Sequence, residues 1–263
     1  LSTKTTTPPP KEALEFVEFL NGSPSPFHAV HESAKRLEQA GFKKLSEKAD
    51  WNLERKGKYY FTRNGSSIVA FVVGGQYKHG NGFSIVGAHT DSPCLKVKPI
   101  SKKESVGYLQ VGVQLYGGGI WHTWFDRNLG IAGRVMLRHN DGSFKHTLVR
   151  IHKPILNVPT LAIHLDRSAS NDFQFNTETQ LLPILATTVK NELNAVDKKS
   201  ALSDQEQKHH PALIRLLAEE LGHQIHDFEL CLYNMEEAKI GGINDEFIFS
   251  SRLDNLGMSY CSL

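Results

Sequence analysis

The sequence predicts an α/β domain interrupted by a β-rich insertion. Three observations lead to that fold class. Apolar residues at helical spacing fill the first part of the chain and lead to strand-like runs, the last of which, Phe83-Ser84-Ile85-Val86, ends on Gly87-Ala88-His89-Thr90-Asp91-Ser92. Beyond Pro93 the pattern changes to many short alternating segments broken by glycine turns, as far as about Leu165. Helical period then returns over residues 208–221, and a short apolar run, Phe247-Ile248-Phe249, leads into Ser250-Ser251-Arg252-Leu253-Asp254-Asn255.

In order along the chain, Lys11 to Leu20 reads as a first helix, stopped by Asn21-Gly22-Ser23-Pro24. Ser25 caps a second helix with Pro26 at its first position. Ala29, Val30, Ala34, Leu37 and Ala40 form its apolar stripe, and Gly41 stops it. Lys58 to Thr62 and Ile68 to Val73 are strand-like, and Asn64-Gly65 between them predicts a hairpin turn. Phe83 to Val86 is expected to be a buried strand delivering His89 to its carboxyl end. The insertion reads as strands at Val111–Leu115, Ala132–Leu137 and Thr147–Ile151, with turns at Gly117-Gly118-Gly119 and Asn140-Asp141-Gly142. Phe228 to Tyr233 is a further strand. These changes of pattern divide the chain into 1–92, 93–243 and 244–263, the first and last belonging to one α/β domain.

At 263 residues the chain is long enough for one large or two smaller domains, and 40% hydrophobic with 22% charged residues is a globular composition. A net charge of +2 and short basic clusters (Lys96-Val97-Lys98, Lys102-Lys103) give no basic face for a nucleic-acid partner. No apolar stretch approaches the roughly 18 residues that would span a bilayer. Cys94, Cys231 and Cys261 show no C-x-x-C spacing, which argues against a disulfide framework or a thiolate zinc site and fits a reducing compartment. Residues 1–10 read as a flexible lead-in without a signal core.

The chemistry concentrates at His89, Asp91 and Asp254. A histidine at a strand's carboxyl end can bind a divalent metal through one ring nitrogen, while a carboxylate two residues on takes the other N–H and fixes the tautomer. Asp254 follows a second apolar run, and its two carboxylate oxygens can bridge two metals about 3.5–4 Å apart. Each signal has a plainer reading: His89 as an ordinary hydrogen-bonded side chain, and Asp254 as a helix N-cap.

These segments, in this order, resemble the aspartyl aminopeptidases of metallopeptidase family M18. The resemblance extends to Tyr116-Gly117-Gly118-Gly119-Ile120-Trp121, Trp124-Phe125-Asp126-Arg127, Leu161-Ala162-Ile163-His164-Leu165 and Leu182-Pro183-Ile184-Leu185-Ala186, and covers residues 11–263. It implies a zinc-aminopeptidase-type catalytic domain, incomplete here, interrupted by a β-rich dimerisation domain. It further implies two Zn²⁺ per site in the complete protein, with His89 and Asp254 as metal ligands and Asp91 behind His89. His164 would be lent to the neighbouring subunit's site, making Asp91 and His164 the catalytic residues. Substrates would be peptides with an acidic N-terminal residue. The assembly would be a dimer-based homo-oligomer, a dodecamer in full-length members, in the cytoplasm or, alternatively, a vacuole.

The general-base Glu and further ligands that the resemblance calls for would follow Asp254, and only nine positions do. The chain is therefore expected to be an N-terminal fragment lacking part of the site, with an exposed sheet edge and apolar face. The rival reading is a catalytically inactive assembly or interaction module. Glu236-Glu237 precedes Asp254 and is read as a solvated loop pair. His28 and His31 are read as packing or surface residues, His209 and His210 as surface residues at a helix start, and His122 as a weak candidate for lining the site. Trp121, Trp124 and Phe125 are read as core or subunit interface, and Asp126-Arg127 as either an ion pair or a substrate contact.

Overall fold

The computed structural model describes residues 8–139, 141–193 and 203–263. The lead-in up to Thr7 and Asn140 of the expected 140–142 turn lie outside them. The chain forms two compact units, Leu1–Ser92 with Glu237–Leu263, and Pro93–Glu236.

The first unit opens with α1 (Lys11–Gly22) and α2 (Pro26–Gln39). Ser25 caps α2, its Oγ accepting from the His28 amide at 3.4 Å, and Pro26 takes the first helical position, where no N–H is needed. Gly41 follows the helix at φ 85°, a conformation open to glycine. A three-stranded sheet comes next, in the order β1 (Lys43–Lys44), β2 (Lys58–Arg63), β3 (Ser67–Val72). The β2–β3 hairpin turns at Asn64-Gly65 with φ 54° and 66°, positive at both positions as the dipeptide predicts.

The expected strand at Phe83–Val86 is not formed. The segment carries no ladder, and Phe83, Ile85 and Val86 are 83%, 85% and 71% exposed. An apolar run specifies burial only when neighbours exist to bury it, and among the described residues no strand pairs with this one.

The second unit is built on a six-stranded sheet. Its strands are β4 (Cys94–Ser105), β5 (Tyr108–Tyr116), β6 (Leu129–Arg138), β7 (Phe144–Arg150), β8 (Ile184–Thr187) and β9 (Ile225–Asn234). The spatial order is β7-β6-β9-β4-β5-β8, and every neighbouring pair is antiparallel. Alternate residues supply the core: Leu95 and Val97, Val111 and Val113, Leu129 and Ile131, Leu230 and Leu232. Between β8 and β9 lie the short helices α3 (Thr188–Leu193) and α4 (Asp204–Lys208), then α5 (Pro211–Leu221), which adds Leu213 and Leu217 to the core. Trp121, Trp124 and Phe125 pack against this core half-buried.

Residues 208–221 are not one continuous helix. The chain breaks at His209 and His210 and restarts with Pro211 at the first position of α5. Both histidines are 2% exposed rather than at the surface. His209 Nδ1 and Ser101 Oγ are 2.8 Å apart, and His210 Nε2 donates to the carbonyls of Lys103 (2.7 Å) and Gln110 (3.1 Å). Ser101 sits where β4 slips register between Val97 and Lys102, so the pair pins the start of α5 to an irregularity in the sheet. Helical periodicity carried no trace of these partners, which lie a hundred residues away.

Burial, reinforced by the nearby Lys208 ammonium, pushes the His209 imidazole down to about 4. A group held neutral in the fold and titrating near 6.5 when unfolded contributes stability that is fully present above 6.5 and lost as pH falls toward 4. The expected loss approaches about 3 kcal/mol. Urea denaturation at pH 7.5 and 4.5 checks it, with His209→Gln expected to remove most of the dependence.

The chain then returns to the first unit through a hairpin of β10 (Lys239–Gly241) and β11 (Phe247–Phe249), followed by α6 (Leu253–Ser262). Asn21 brackets the returning strand, accepting from the Ala238 amide (2.7 Å) and donating to the Ala238 carbonyl (3.1 Å). Phe19, Leu20, Ala29, Ala238 and Leu256 form this unit's core, with Phe16 and Tyr260 against it.

Candidate metal centre

His89 and Asp91 lie on the exposed segment that follows the apolar run. His89 Nδ1 and Asp91 Oδ1 are 2.8 Å apart. A carboxylate accepts, so Nδ1 carries the proton and Nε2 presents its lone pair outward. That is how a metal-binding histidine is oriented, and the carboxylate raises the basicity of the free nitrogen. The Thr90 hydroxyl donates to the Ser66 carbonyl (3.1 Å) beside β3, fixing the backbone between the two residues.

Asp254, 163 positions along the chain from Asp91, is brought to this segment by α6. Asn255 Nδ2 donates to the Asp91 carbonyl at 3.1 Å, and Ser259 Oγ donates to the His89 carbonyl at 2.6 Å. Asn255 and Ser259 are four residues apart and so share a helix face. These two bonds hold α6 against the His89–Asp91 segment, and Asp254, the residue before Asn255, comes with it; the Asp254–Asn255 peptide is cis. Sequence reasoning missed Asn255 and Ser259, because a side chain that serves another segment's backbone leaves no mark on local pattern.

Asp254 breaks the helix: its φ of −80° and ψ of 107° are non-helical and mark a kink between Arg252, at φ 63°, and the turn that continues from Asn255, and its side chain is exposed. Arg252 anchors the approach, donating to the carbonyls of Ser23 (3.1 Å) and Leu20 (3.3 Å) at the end of α1 and to Ser251 Oγ (2.9 Å). A cation at a helix C-terminus also opposes the negative end of its dipole.

The donor set suits zinc in kind: one imidazole nitrogen held by a carboxylate, and one free carboxylate. In number it falls short of the usual three or four protein ligands, and among the described residues no group of three or more His, Cys, Asp or Glu side chains forms a metal site.

His164 belongs to the second unit. It stands on an exposed turn in which the Leu165 amide donates to the Ala162 carbonyl (2.8 Å), flanked by exposed Leu161, Ile163 and Leu165. The loop is held from outside. Asp126, at φ 56°, accepts from the Thr160 amide (3.0 Å) and hydroxyl (2.6 Å), and its own amide donates to the Val158 carbonyl (2.9 Å). Arg127 instead approaches Glu236 at 3.6 Å, so Asp126 and Arg127 are not paired with each other. Asp126→Ala is expected to cost the fold no more than about 1 kcal/mol while accelerating proteolysis between residues 159 and 167; limited proteolysis with mass mapping reads this out. His122 is exposed on the short 3-10 helix Trp121–Trp124, and Glu236 and Glu237 are exposed as the sequence led one to expect.

The arrangement resembles known proteins over nearly its whole length. A probable aspartyl aminopeptidase of Ricinus communis is 50% identical over 272 residues, covering 95% of this chain and 55% of its own. The aspartyl aminopeptidase of Dictyostelium discoideum is likewise 50% identical, covering 96% of this chain and 56% of its own. Among solved structures, the Ape4 and Nbr1 complex determined by cryo-EM contains a chain that matches with a TM-score of 0.88 at 49% identity, over 95% of this chain and 49% of that one. Chaetomium thermophilum mApe1 matches with a TM-score of 0.80 at 33% identity, over 92% and 54%. The chain thus spans about half the length of the curated relatives it matches. The family model for aminopeptidase I zinc metalloprotease (M18) matches residues 19–263, and with the His89–Asp91 pair and the α6 contacts inside that span, the chain belongs to the M18 family of zinc metalloproteases.

Proposed function

We propose that the whole protein is a metallo-aminopeptidase that removes N-terminal Asp or Glu from peptides, and that this chain carries part of its dinuclear-zinc site. The observation that carries the reading is the docking of α6, the helix that bears Asp254, onto the His89–Asp91 segment through the Asn255 and Ser259 hydrogen bonds. Relatives at about half identity named aspartyl aminopeptidases support the acidic specificity. Zinc, when bound, supplies a water acidic enough to be a nucleophile near neutral pH and polarises the scissile carbonyl. His89 would hold zinc through Nε2, with its tautomer fixed by Asp91, and Asp254 would hold it through its carboxylate. His164, on its exposed turn, donates a hydrogen bond to the developing oxyanion in a neighbouring subunit's site, a contact typically worth roughly 3 kcal/mol.

In this reading residues 1–92 and 237–263 contribute to the catalytic domain, the return falling at Glu237 rather than at 244, and 93–236 is the insertion through which copies dimerise and build a larger homo-oligomer. The S. cerevisiae mApe1 solved as a dodecamer, 28% identical with a TM-score of 0.77, supports the oligomer. Among the described residues no helix is long and apolar enough to cross a membrane, and we place the protein in the cytoplasm, with a vacuole as the second choice.

Zinc titration of the 263-residue chain by calorimetry, together with release of the first residue from Asp-, Glu- and Leu-initiated peptides, tests the proposal. The expected result is weak zinc binding abolished by His89→Ala or Asp254→Asn, with no turnover by this chain alone. Zinc binding indifferent to both substitutions would remove the site assignment. Turnover preferring Leu would overturn the acidic specificity, and turnover of Asp peptides lost in His89→Ala would show that the site is complete. In the intact assembly an unchanged kcat for His164→Phe would remove the oxyanion role.

A further inference from the structure

The second unit's sheet holds two cysteines that the metal centre does not use. Lys96 on β4 stands directly opposite Cys231 on β9, so Cys94, two residues before Lys96, lies on the same face and diagonal to Cys231. Both are buried, unoxidised thiols that interact with each other. The Lys96 ammonium acts on both electrostatically, lies 4.0 Å from the centre of the Tyr116 ring and 2.8 Å from Glu229, and Arg134 reaches the same Glu229 carboxylate at 3.0 Å. A cation this close to a thiol pair is the setting that favours thiolate over thiol.

We propose that Cys94 and Cys231 form a peroxide-oxidisable dithiol that closes to a disulfide between β4 and β9. Three features carry this: the same-face placement of the two cysteines on adjacent strands, the lysine that stands opposite Cys231 and two residues from Cys94, and a way in. Cys231 is 1% exposed, but Cys94 at the very start of β4 is 7% exposed, and the oxidant is scarcely larger than water. The Cys94 hydrogen bond, with the Lys96 charge, holds the Cys231 thiol below its ordinary range in spite of burial and of Glu229.

In the first step the Cys231 thiolate attacks one oxygen of hydrogen peroxide. The S–O bond forms, the O–O bond breaks, and the departing hydroxide takes a proton to leave as water, giving the sulfenic acid. The Cys94 sulfur then displaces the sulfenic hydroxyl. Its own proton leaves with that hydroxyl as a second water, and the S–S bond forms. Two thiols lose two electrons and two protons while one peroxide becomes two waters.

The experiment uses the full 263-residue chain with Cys261→Ser, since Cys261 is exposed and would otherwise link copies. The folded protein is treated with hydrogen peroxide at pH 7.5, quenched, alkylated, digested without reduction and mapped by mass spectrometry. The expected result is one linked peptide pair holding residues 94 and 231, and a chain lighter by two hydrogens. Lys96→Met is expected to slow linkage about threefold or more by lowering the thiolate fraction, and Cys231→Ala to leave Cys94 unlinked. Both cysteines recovered alkylated, irreversible acids at either sulfur without linkage, or linkage only after unfolding in urea would each overturn the proposal.

Discussion

Replacing Leu256 with alanine will destabilise the first unit by about 2–5 kcal/mol and pull the candidate metal centre apart. Leu256 is 1% exposed and packs with Phe19, Leu20, Ala29 and Ala238. Truncation removes its apolar surface and leaves a cavity walled by helix backbones that cannot fully close. Leu256 follows Asn255 and lies on the same helix as Ser259, the two residues that hold the His89 and Asp91 carbonyls. A loosened α6 therefore parts from the His89–Asp91 segment before the rest of the chain unfolds. Hydrogen exchange read by mass spectrometry should show faster exchange over residues 87–92 and 253–262, with residues 129–138 of the other unit unchanged. Unaltered protection over 253–262 would mean that α6 is held by something other than this core.

Gly133→Ala will disrupt the second unit more severely than its one added methyl suggests, by about 3 kcal/mol or more. A Cβ at position 133 would lie 2.1 Å from the Glu229 carbonyl oxygen and 3.0 Å from Leu230 Cα. Both are backbone atoms of β9, paired in register with β6, so neither can rotate aside. Relief requires separating two central strands of the six-stranded sheet. Gly112→Ala is the control: its Cβ would meet Ser101 backbone at 3.3 Å, a contact that a shift of a few tenths of an ångström relieves. Thermal melting of the two variants should show a large loss for Gly133→Ala and a small one for Gly112→Ala. Equal losses would contradict the packing argument.

The contrast between these positions reflects what could be read without coordinates. Local chemistry announces itself: Ser25-Pro26 started α2, Asn64-Gly65 turned the hairpin, and the two-residue spacing of His89 and Asp91 placed a carboxylate on an imidazole nitrogen. Each depends on atoms within a few residues. Asp254 was legible as a candidate because an apolar run and a polar turn precede it, and its non-helical backbone at the kink of α6 keeps the cap reading beside the ligand one. His209 and His210 were misplaced at the surface because their partners, Ser101, Lys103 and Gln110, come from a bulge and its partner strand. Asp126 was read as an ion pair or a substrate contact; it does not pair with Arg127, and its carboxylate holds Thr160.

Residue order alone was enough for the α/β class with a β-rich middle, the caps, the hairpin and the histidine–carboxylate pair, because propensity, turn chemistry and short spacing act within a few residues. The folded chain alone decided that the run 83–86 stands exposed, that β9 starting at Ile225 enters the middle of a sheet begun at Cys94, that Cys231 shares a sheet face with Cys94, and that Asn255 and Ser259 tie α6 to the His89–Asp91 segment. These outcomes rest on burial and on hydrogen bonds between distant segments, and such terms have no value until the chain has brought both partners together.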